Sequence, residues 1–226
     1  MNARQARRRR QDAARARQAA RRRRRLGIAA VLAAVLVAGI GGLAVSAANR
    51  DRQPATSPGP LAGLQTGPAP WGANTADLAE RLRAIGIPAL SPMEGTAVHI
   101  HQHLDLYVDG RKVLVPAGIG IDPAVGYAPL HTHDPSGVIH VESPTVRTYT
   151  LGEFFAVWGV RITPSCLGGY CAGGGRQLRL FVDGRAYRGD PTTLALAPHQ
   201  ELVVAFGTAA QLPSPIPSTY QFPPGE

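Results

Sequence analysis

Six of the seven histidines of this 226-residue chain fall within 42 consecutive residues. They are His99, His101, His103, His131, His133 and His140. Imidazole nitrogens are good ligands for transition metals, zinc and copper above all. The clustering therefore predicts a metal-binding site, provided that the fold brings the rings to one place.

The first group lies in VHIHQHLDLYVDG at residues 98–110, where every second residue from His99 to His103 is a histidine. The even-numbered positions are apolar except for Gln102. Because strand side chains alternate between two faces, this pattern predicts a β-strand with its apolar side in the core and its imidazoles on the opposite face. Asp109-Gly110 predicts a two-residue turn that pairs Val108 with Arg111.

The second group lies in LHTHDPSGVIHVES at residues 130–143. Residues 134–137 are Asp-Pro-Ser-Gly, which favours a type I turn and a hairpin. A four-residue loop pairs His131 with His140 and His133 with Val138, and it separates apolar from polar residues. A three-residue loop with a bulge would mix the two faces, so we expect the first register.

That register predicts that His131, His133 and His140 form a triangle around one ion, with nitrogens about 2.0–2.1 Å from it. Asp134 and Glu142 are close enough in sequence to accept hydrogen bonds from the ring N–H groups or to act as further ligands. Strand order determines whether His99, His101 and His103 complete this site or form another. The predicted cofactor is zinc or copper.

Metal binding, storage or delivery is the leading interpretation. One alternative is a metal-dependent hydrolase or lyase in which Glu142 or Asp134 serves as the general base. The sequence contains no G-x-S-x-G, H-E-x-x-H or Gly-rich phosphate loop to support catalysis. A second alternative is a pH-sensitive interaction module whose histidines gain charge near pH 6.5.

The positive charge is concentrated at the N-terminus. Residues 1–25 hold twelve Arg and one Asp, whereas residues 26–226 carry a net charge of −2. Residues 26–48 are 23 uncharged, mostly apolar residues, enough to cross a bilayer of roughly 30 Å as a helix. Because Arg-rich flanks stay in the cytoplasm, we expect an uncleaved single-pass anchor with the main domain outside the cell membrane, and no nucleic-acid partner.

The pattern divides the remaining chain into three parts. Residues 49–73 are rich in Pro and Gly and predict a stalk, residues 74–211 predict the folded domain, and residues 212–226 form a Pro-rich tail. Period-two runs with repeated turn signals predict a mainly antiparallel β-fold, sandwich or barrel-like. Two short helices are expected, one after Asn74 or Thr75 and one after Thr150.

The chain has two cysteines, Cys166 and Cys171, on the side of the membrane that this topology makes oxidising. A disulfide closing a small loop is the favoured interpretation, and thiolate metal ligation is the alternative.

The motifs HIHQHLDLYVDG, LHTHDPSGVIHVES and TLGEFFAVWG resemble those of a family of uncharacterised membrane-anchored exported proteins of bacteria and archaea. The resemblance covers roughly residues 96–160 and implies an external location and a histidine-centred site, with no known activity. The H-x-H pattern is also loosely similar to cupins and to β-rich carbonic anhydrases. The residues after HTHD do not follow the cupin spacing, so neither family is assigned.

Overall fold

The structure, a computed structural model, describes residues 61–225. The predicted Arg-rich segment 1–25 and the predicted membrane span 26–48 lie outside the described residues. Between residues 61 and 225, no helix combines the length and the hydropathy needed to cross a bilayer.

Residues 61–225 form eleven strands and two α-helices, with short 3-10 helices at Pro191–Thr193 and Ala209–Gln211. The α-helices are α1 (Leu78–Ala84) and α2 (Leu151–Trp158). The strands are β1 (Val98–Val108), β2 (Arg111–Val113), β3 (Ile121–Asp122), β4 (Gly126–Tyr127), β5 (Leu130–His131), β6 (Val138–Ser143), β7 (Cys166–Leu167), β8 (Tyr170–Cys171), β9 (Gln177–Val182), β10 (Arg185–Tyr187) and β11 (Glu201–Gly207).

Seven of these strands form one sheet in the order β10-β9-β11-β1-β6-β5, with β2 paired to the end of β1. The other strands form two small ribbons, β3-β4 and β7-β8. The prediction of a mainly β domain with two short helices is confirmed. The sheet is mixed, however, because β1 and β11 run parallel, and it is open in place of the expected sandwich or barrel.

Two hairpins of the sheet have Asp-Gly turns, and the one between β1 and β2 has the predicted register. Asp109 and Gly110 have φ of 50° and 81°, and Val108 pairs with Arg111 as expected. Positive φ at both turn residues is the mark of a type I′ turn, whose twist matches that of the flanking strands. The same Asp-Gly turn joins β9 to β10.

The core lies between the apolar face of the sheet and α2. The capping box predicted for Thr150 and Glu153 is present and starts α2. Gly159 ends the helix in the left-handed conformation, with φ of 72°. The aromatic residues of α2 are fully buried, as are the even-numbered leucines of β1. These side chains are Phe154, Phe155, Trp158, Leu104 and Leu106.

Both ends of the described chain pack on the domain. Trp71 is only 3% exposed, and the indole N–H of Trp158 donates to the carbonyl oxygen of Gly72 at 2.8 Å. The folded part thus begins before residue 74, within the segment predicted as a stalk. In the C-terminal tail, the ring of Tyr220 stacks on His103 with 3.9 Å between centroids.

The predicted disulfide is confirmed: Cys166 and Cys171 are joined across the β7-β8 ribbon. Since these are the only cysteines in the chain, no thiol remains for metal ligation.

Candidate metal centre

A row of three histidines crosses three neighbouring strands on the sheet face opposite the core. His131 of β5 pairs with His140 of β6, as the four-residue loop predicts. His140 in turn pairs with His101 of β1. Directly paired residues project to the same face, so the three imidazoles lie side by side. Ring centroids are 5.4 Å apart for His131 and His140, and 4.6 Å apart for His140 and His101.

His131 is oriented as a metal ligand. Its Nδ1 lies 2.9 Å from the carbonyl oxygen of Ala128, which can only accept, so Nδ1 carries the proton and Nε2 offers a lone pair. This backbone hydrogen bond is the usual means of fixing the tautomer of a ligating histidine.

The Nε2 atoms of His131 and His133 are 3.1 Å apart. At this distance two imidazole lone pairs repel each other unless a proton or a cation lies between them. Two nitrogens bound to one tetrahedral zinc ion lie about 3.3 Å apart. The spacing of this pair therefore suits two ligands of the same ion.

His140 and Glu142 complete the first group of potential ligands. Both lie on β6, two residues apart and thus on one face, and Nδ1 of His140 is 3.4 Å from Oε1 of Glu142. In the described chain this Nδ1 is buried and lacks a hydrogen-bond partner. Ligand atoms of His131, His133, His140 and Glu142 all lie within 4.8 Å of one another.

Glu142 also belongs to a second group, with His99 and His101. Oε1 of Glu142 is 3.4 Å from Nε2 of His99 and 3.8 Å from Nε2 of His101. The antiparallel pairing of β1 with β6 sets this contact, because it places His99 directly opposite Glu142. A single carboxylate oxygen thus contacts imidazoles of both histidine motifs.

Glu94 is a potential ligand that sequence reasoning missed. Its Oε1 lies 3.3 Å from Nε2 of His133 and 3.9 Å from Nε2 of His131. Glu94 also raises the pKa of the nearby Glu142 carboxyl group. Glu94 stands alone in the loop before β1, with no periodicity or motif, so nothing in the sequence marked it.

Burial keeps the imidazoles of His101, His131 and His140 neutral, which is the form that binds metal. Desolvation lowers the pKa of His131 to about 4. It lowers the pKa of His140 to about 3, with further lowering from the neighbouring histidines. The pKa of His101 is lowered by the same two causes.

Glu142 shows the opposite shift. Burial raises its pKa to about 7, and the charge and hydrogen bond of Glu94 act in the same direction. Two carboxylates in contact repel each other unless they share a proton or a cation neutralises them. A metal ion at the cluster would relieve this repulsion.

His103 lies apart from the cluster. Its Nδ1 is 2.7 Å from Oε2 of Glu201 on β11, and its Nε2 donates to the carbonyl oxygen of Ser136 at 3.0 Å. His103, Asp105 and Glu201 form a third buried group of potential ligands. Because both ring nitrogens of His103 are already engaged, this ring ties β1 to β11 and to the β5–β6 turn.

Asp134 points into its own turn. Its Oδ1 accepts a hydrogen bond from the backbone N–H of Ser136 at 2.8 Å. The hydrogen bonds from Ser136 also lower the pKa of Asp134. Its role is to stabilise the loop that carries His133.

The cluster is open to solvent along one side. The side chains of His133 and Glu94 are 41% and 39% exposed, whereas that of His131 is fully buried. An ion can enter past the two exposed side chains and reach the buried ligands behind them.

Comparisons with models of protein families, with curated proteins and with solved structures find no match for this chain. The site therefore has to be interpreted from the chemistry of its own side chains.

Proposed function

We propose that this protein binds a transition metal ion, zinc or copper, through His131, His133, His140 and Glu142. The observation that carries the proposal is the convergence of three imidazoles and one carboxylate whose ligand atoms lie within 4.8 Å of one another. The tautomer of His131 and the buried, unpartnered Nδ1 of His140 support it.

The donor set favours zinc or copper over calcium and magnesium. Calcium and magnesium prefer oxygen ligands throughout, whereas imidazole suits zinc and Cu(II). A thiolate site for Cu(I) is disfavoured because Cys166 and Cys171 form a disulfide.

We further propose that the domain is held outside the cell membrane by a helix at residues 26–48, with residues 1–25 in the cytoplasm. The net charge of +11 in residues 1–25 supports this orientation. The disulfide fits an oxidising compartment. A phosphatase that is active only outside the cytoplasm, fused after Glu226, tests it: activity is expected, and inactivity of a well-expressed fusion contradicts the topology.

The role we favour is metal binding for storage or delivery, since His133 and Glu94 leave one side of the cluster accessible. The same opening is the one observation that favours a metal-dependent enzyme, which needs a free position for water. Metal-dependent ester hydrolysis or CO2 hydration that disappears in His133→Ala would support the enzyme.

A histidine charge switch is a weaker interpretation. With pKa values of about 4 and about 3, His131 and His140 stay neutral between pH 5 and 7.5. The two buried rings of the first group therefore do not gain charge in the range that such a switch requires.

Elemental analysis of the purified full-length chain tests the proposal. We expect bound zinc or copper in the wild type and its loss in His131→Ala/His140→Ala. That variant removes buried side chains and could therefore misfold. His133→Ala is measured beside it, because the His133 side chain is partly exposed and its removal should leave the fold intact. His199→Ala is the matched control, because His199 is in none of the ligand groups found among the described residues. Equal metal in the wild type and both site variants would refute the proposal.

A further inference from the structure

We propose that the cluster holds two metal ions bridged by the carboxylate of Glu142, an inference that rests on the metal binding proposed above. One ion is bound by His131, His133 and His140, and the other by His99 and His101. Glu142 is the residue common to both groups.

The number of donors exceeds what one zinc ion uses. Seven side chains at the cluster offer ligand atoms, and zinc sites are almost always four-coordinate. The seven side chains are His99, His101, His131, His133, His140, Glu94 and Glu142. A single ion would leave about three of them without a role.

The donors also divide into two sets in space. Within residues 61–225, two compact groups of ligand atoms contain Glu142. His131 belongs to one of these groups and His99 to the other. His99 lies at the β1 end of the cluster and is half exposed, whereas His131 lies two strands away. An ion held among His131, His133 and His140 therefore leaves His99 and His101 for a second ion.

Glu142 occupies the position that a bridge requires. Its Oε1 is 3.4 Å from Nδ1 of His140 in the first set and 3.4 Å from Nε2 of His99 in the second. A carboxylate oxygen has two lone pairs and can bind one cation with each, so this single oxygen can bridge both ions. In two-metal sites the ions are about 3.5–4 Å apart, a separation that a bridging carboxylate spans.

Each proposed ion has a carboxylate beside it. Oε1 of Glu94 lies 3.3 Å from Nε2 of His133, and Oε1 of Glu142 lies 3.4 Å from both Nε2 of His99 and Nδ1 of His140. One divalent ion balances the charge of −2 that the two ionised carboxylates carry, so a second ion leaves the cluster with a net charge of +2, and Glu142 reduces the repulsion between the ions by lying between them. Glu94, next to His133, is placed to complete the ligands of the first ion.

Metal stoichiometry of the full-length chain is the test. After loading with zinc and removal of excess metal, we expect two ions per chain in the wild type and one in His99→Ala/His101→Ala. The single variant His99→Ala, at a half-exposed position, keeps the comparison valid if the double variant misfolds. It too is expected to retain the first ion and to bind the second at least tenfold more weakly.

Copper provides a readout of the bridge itself. With two Cu(II) ions per chain, magnetic coupling should reduce the integrated paramagnetic resonance signal below the copper content. In Glu142→Gln, or with one ion per chain, signal and content should agree. Uncoupled signals at two ions per chain in the wild type would overturn the bridge.

The outcomes separate this inference from the function on which it rests. One ion in the wild type overturns the two-ion site and leaves metal binding intact, whereas no ion overturns both. Two ions retained in both His99→Ala and His99→Ala/His101→Ala would also overturn it. The second ion could also be lost in Glu201→Gln and retained in His99→Ala. That result would assign the ion to the group formed by His103, Asp105 and Glu201 and would overturn the proposal.

Discussion

His101 and His140 stand directly opposite each other in the antiparallel register of β1 and β6, with ring centroids 4.6 Å apart. This pairing joins two histidine motifs that are separate in the sequence. Through it, Glu142 contacts both His99 and His140 with the same oxygen. The β5–β6 hairpin alone supplies His131, His133, His140 and Glu142, and the adjacency of β1 and β6 adds His99 and His101 to the cluster.

Metal should stabilise the folded protein through these ligands. A ligand at 100 times its Kd stabilises by about 2.7 kcal/mol. For a domain of this size each kcal/mol raises Tm by about 2–4 °C, so we expect zinc to raise Tm by about 5–10 °C over chelated protein. His133→Ala should lose most of this increase. Thermal unfolding of the full-length chain with zinc and with chelator measures both.

His199→Ala serves as the control for that measurement and should keep the wild-type increase. An increase that is the same in His133→Ala as in the wild type would show that the stabilising ion binds elsewhere.

The stability of the metal-free protein should fall as the pH drops from 7 to 5. Burial lowers the folded pKa of His131 to about 4 and that of His140 to about 3, against about 6.5 in an unfolded chain. Below pH 6.5 the unfolded chain takes up protons that these two rings exclude. Their contribution is complete above pH 6.5 and is lost towards pH 4.

Glu142 opposes this trend. Its folded pKa of about 7 lies above its unfolded value of about 4.3, so its contribution is complete below pH 4.3 and is lost as the pH rises through 7. Glu142→Gln removes this opposing contribution and should make the loss of stability between pH 7 and 5 larger than in the wild type. Urea unfolding of metal-free protein at both pH values tests this. A smaller loss in Glu142→Gln would contradict the assigned shift.

The hairpin registers could be predicted because local chemistry determines them. Asp109-Gly110 fixes the β1–β2 pairing, and only one loop length in residues 134–137 keeps the apolar side chains on one face. Both predictions required only the alternation of side chains along a strand and the preferences of turn residues. The disulfide followed in the same way from two cysteines and a short spacing.

Strand order and long-range contacts could not be predicted. Nothing local specifies that β1 lies between β11 and β6, yet this order separates His103, beside Glu201, from His101, beside His140. In the alternating sequence pattern of β1, His101 and His103 occupy equivalent positions on the same face. Glu94 comes from a loop without periodicity, so its contact with His133 emerges only from the folded chain.

Removing the disulfide should destabilise the domain without emptying the cluster. Cys166 and Cys171 are five residues apart, and closing so short a loop contributes about 2 kcal/mol in the chain-entropy model. Cys166→Ser/Cys171→Ser should lower the free energy of unfolding by about that amount and keep its metal, since neither cysteine belongs to a ligand group in the described chain. Reductant should destabilise the wild type to the same level and leave the variant unchanged. Loss of metal in a folded variant would contradict this separation.

Arg81 should be essential for the stability of the domain, although it lies on α1, a short helix with several charged residues. Its side chain is fully buried, and its guanidinium donates to the backbone oxygens of Ala62, Asn74 and Val157. It thereby ties the described N-terminal segment to α2. Arg81→Met leaves these carbonyls without their donors, and because hydrogen bonds to charged groups contribute about 1.5–3 kcal/mol each, we expect a loss of about 3 kcal/mol or more.

Arg83→Met is the matched control, because Arg83 lies on the same helix with its side chain exposed. It should change the free energy of unfolding by less than about 0.5 kcal/mol, as surface substitutions usually do. Arg81→Lys should recover only part of the loss, since one ammonium group cannot reproduce the planar fork that reaches three carbonyl oxygens. Urea unfolding at pH 7 compares the three variants with the wild type. If Arg81→Met were as stable as Arg83→Met, the buried guanidinium would not be what holds residues 62–74 against α2.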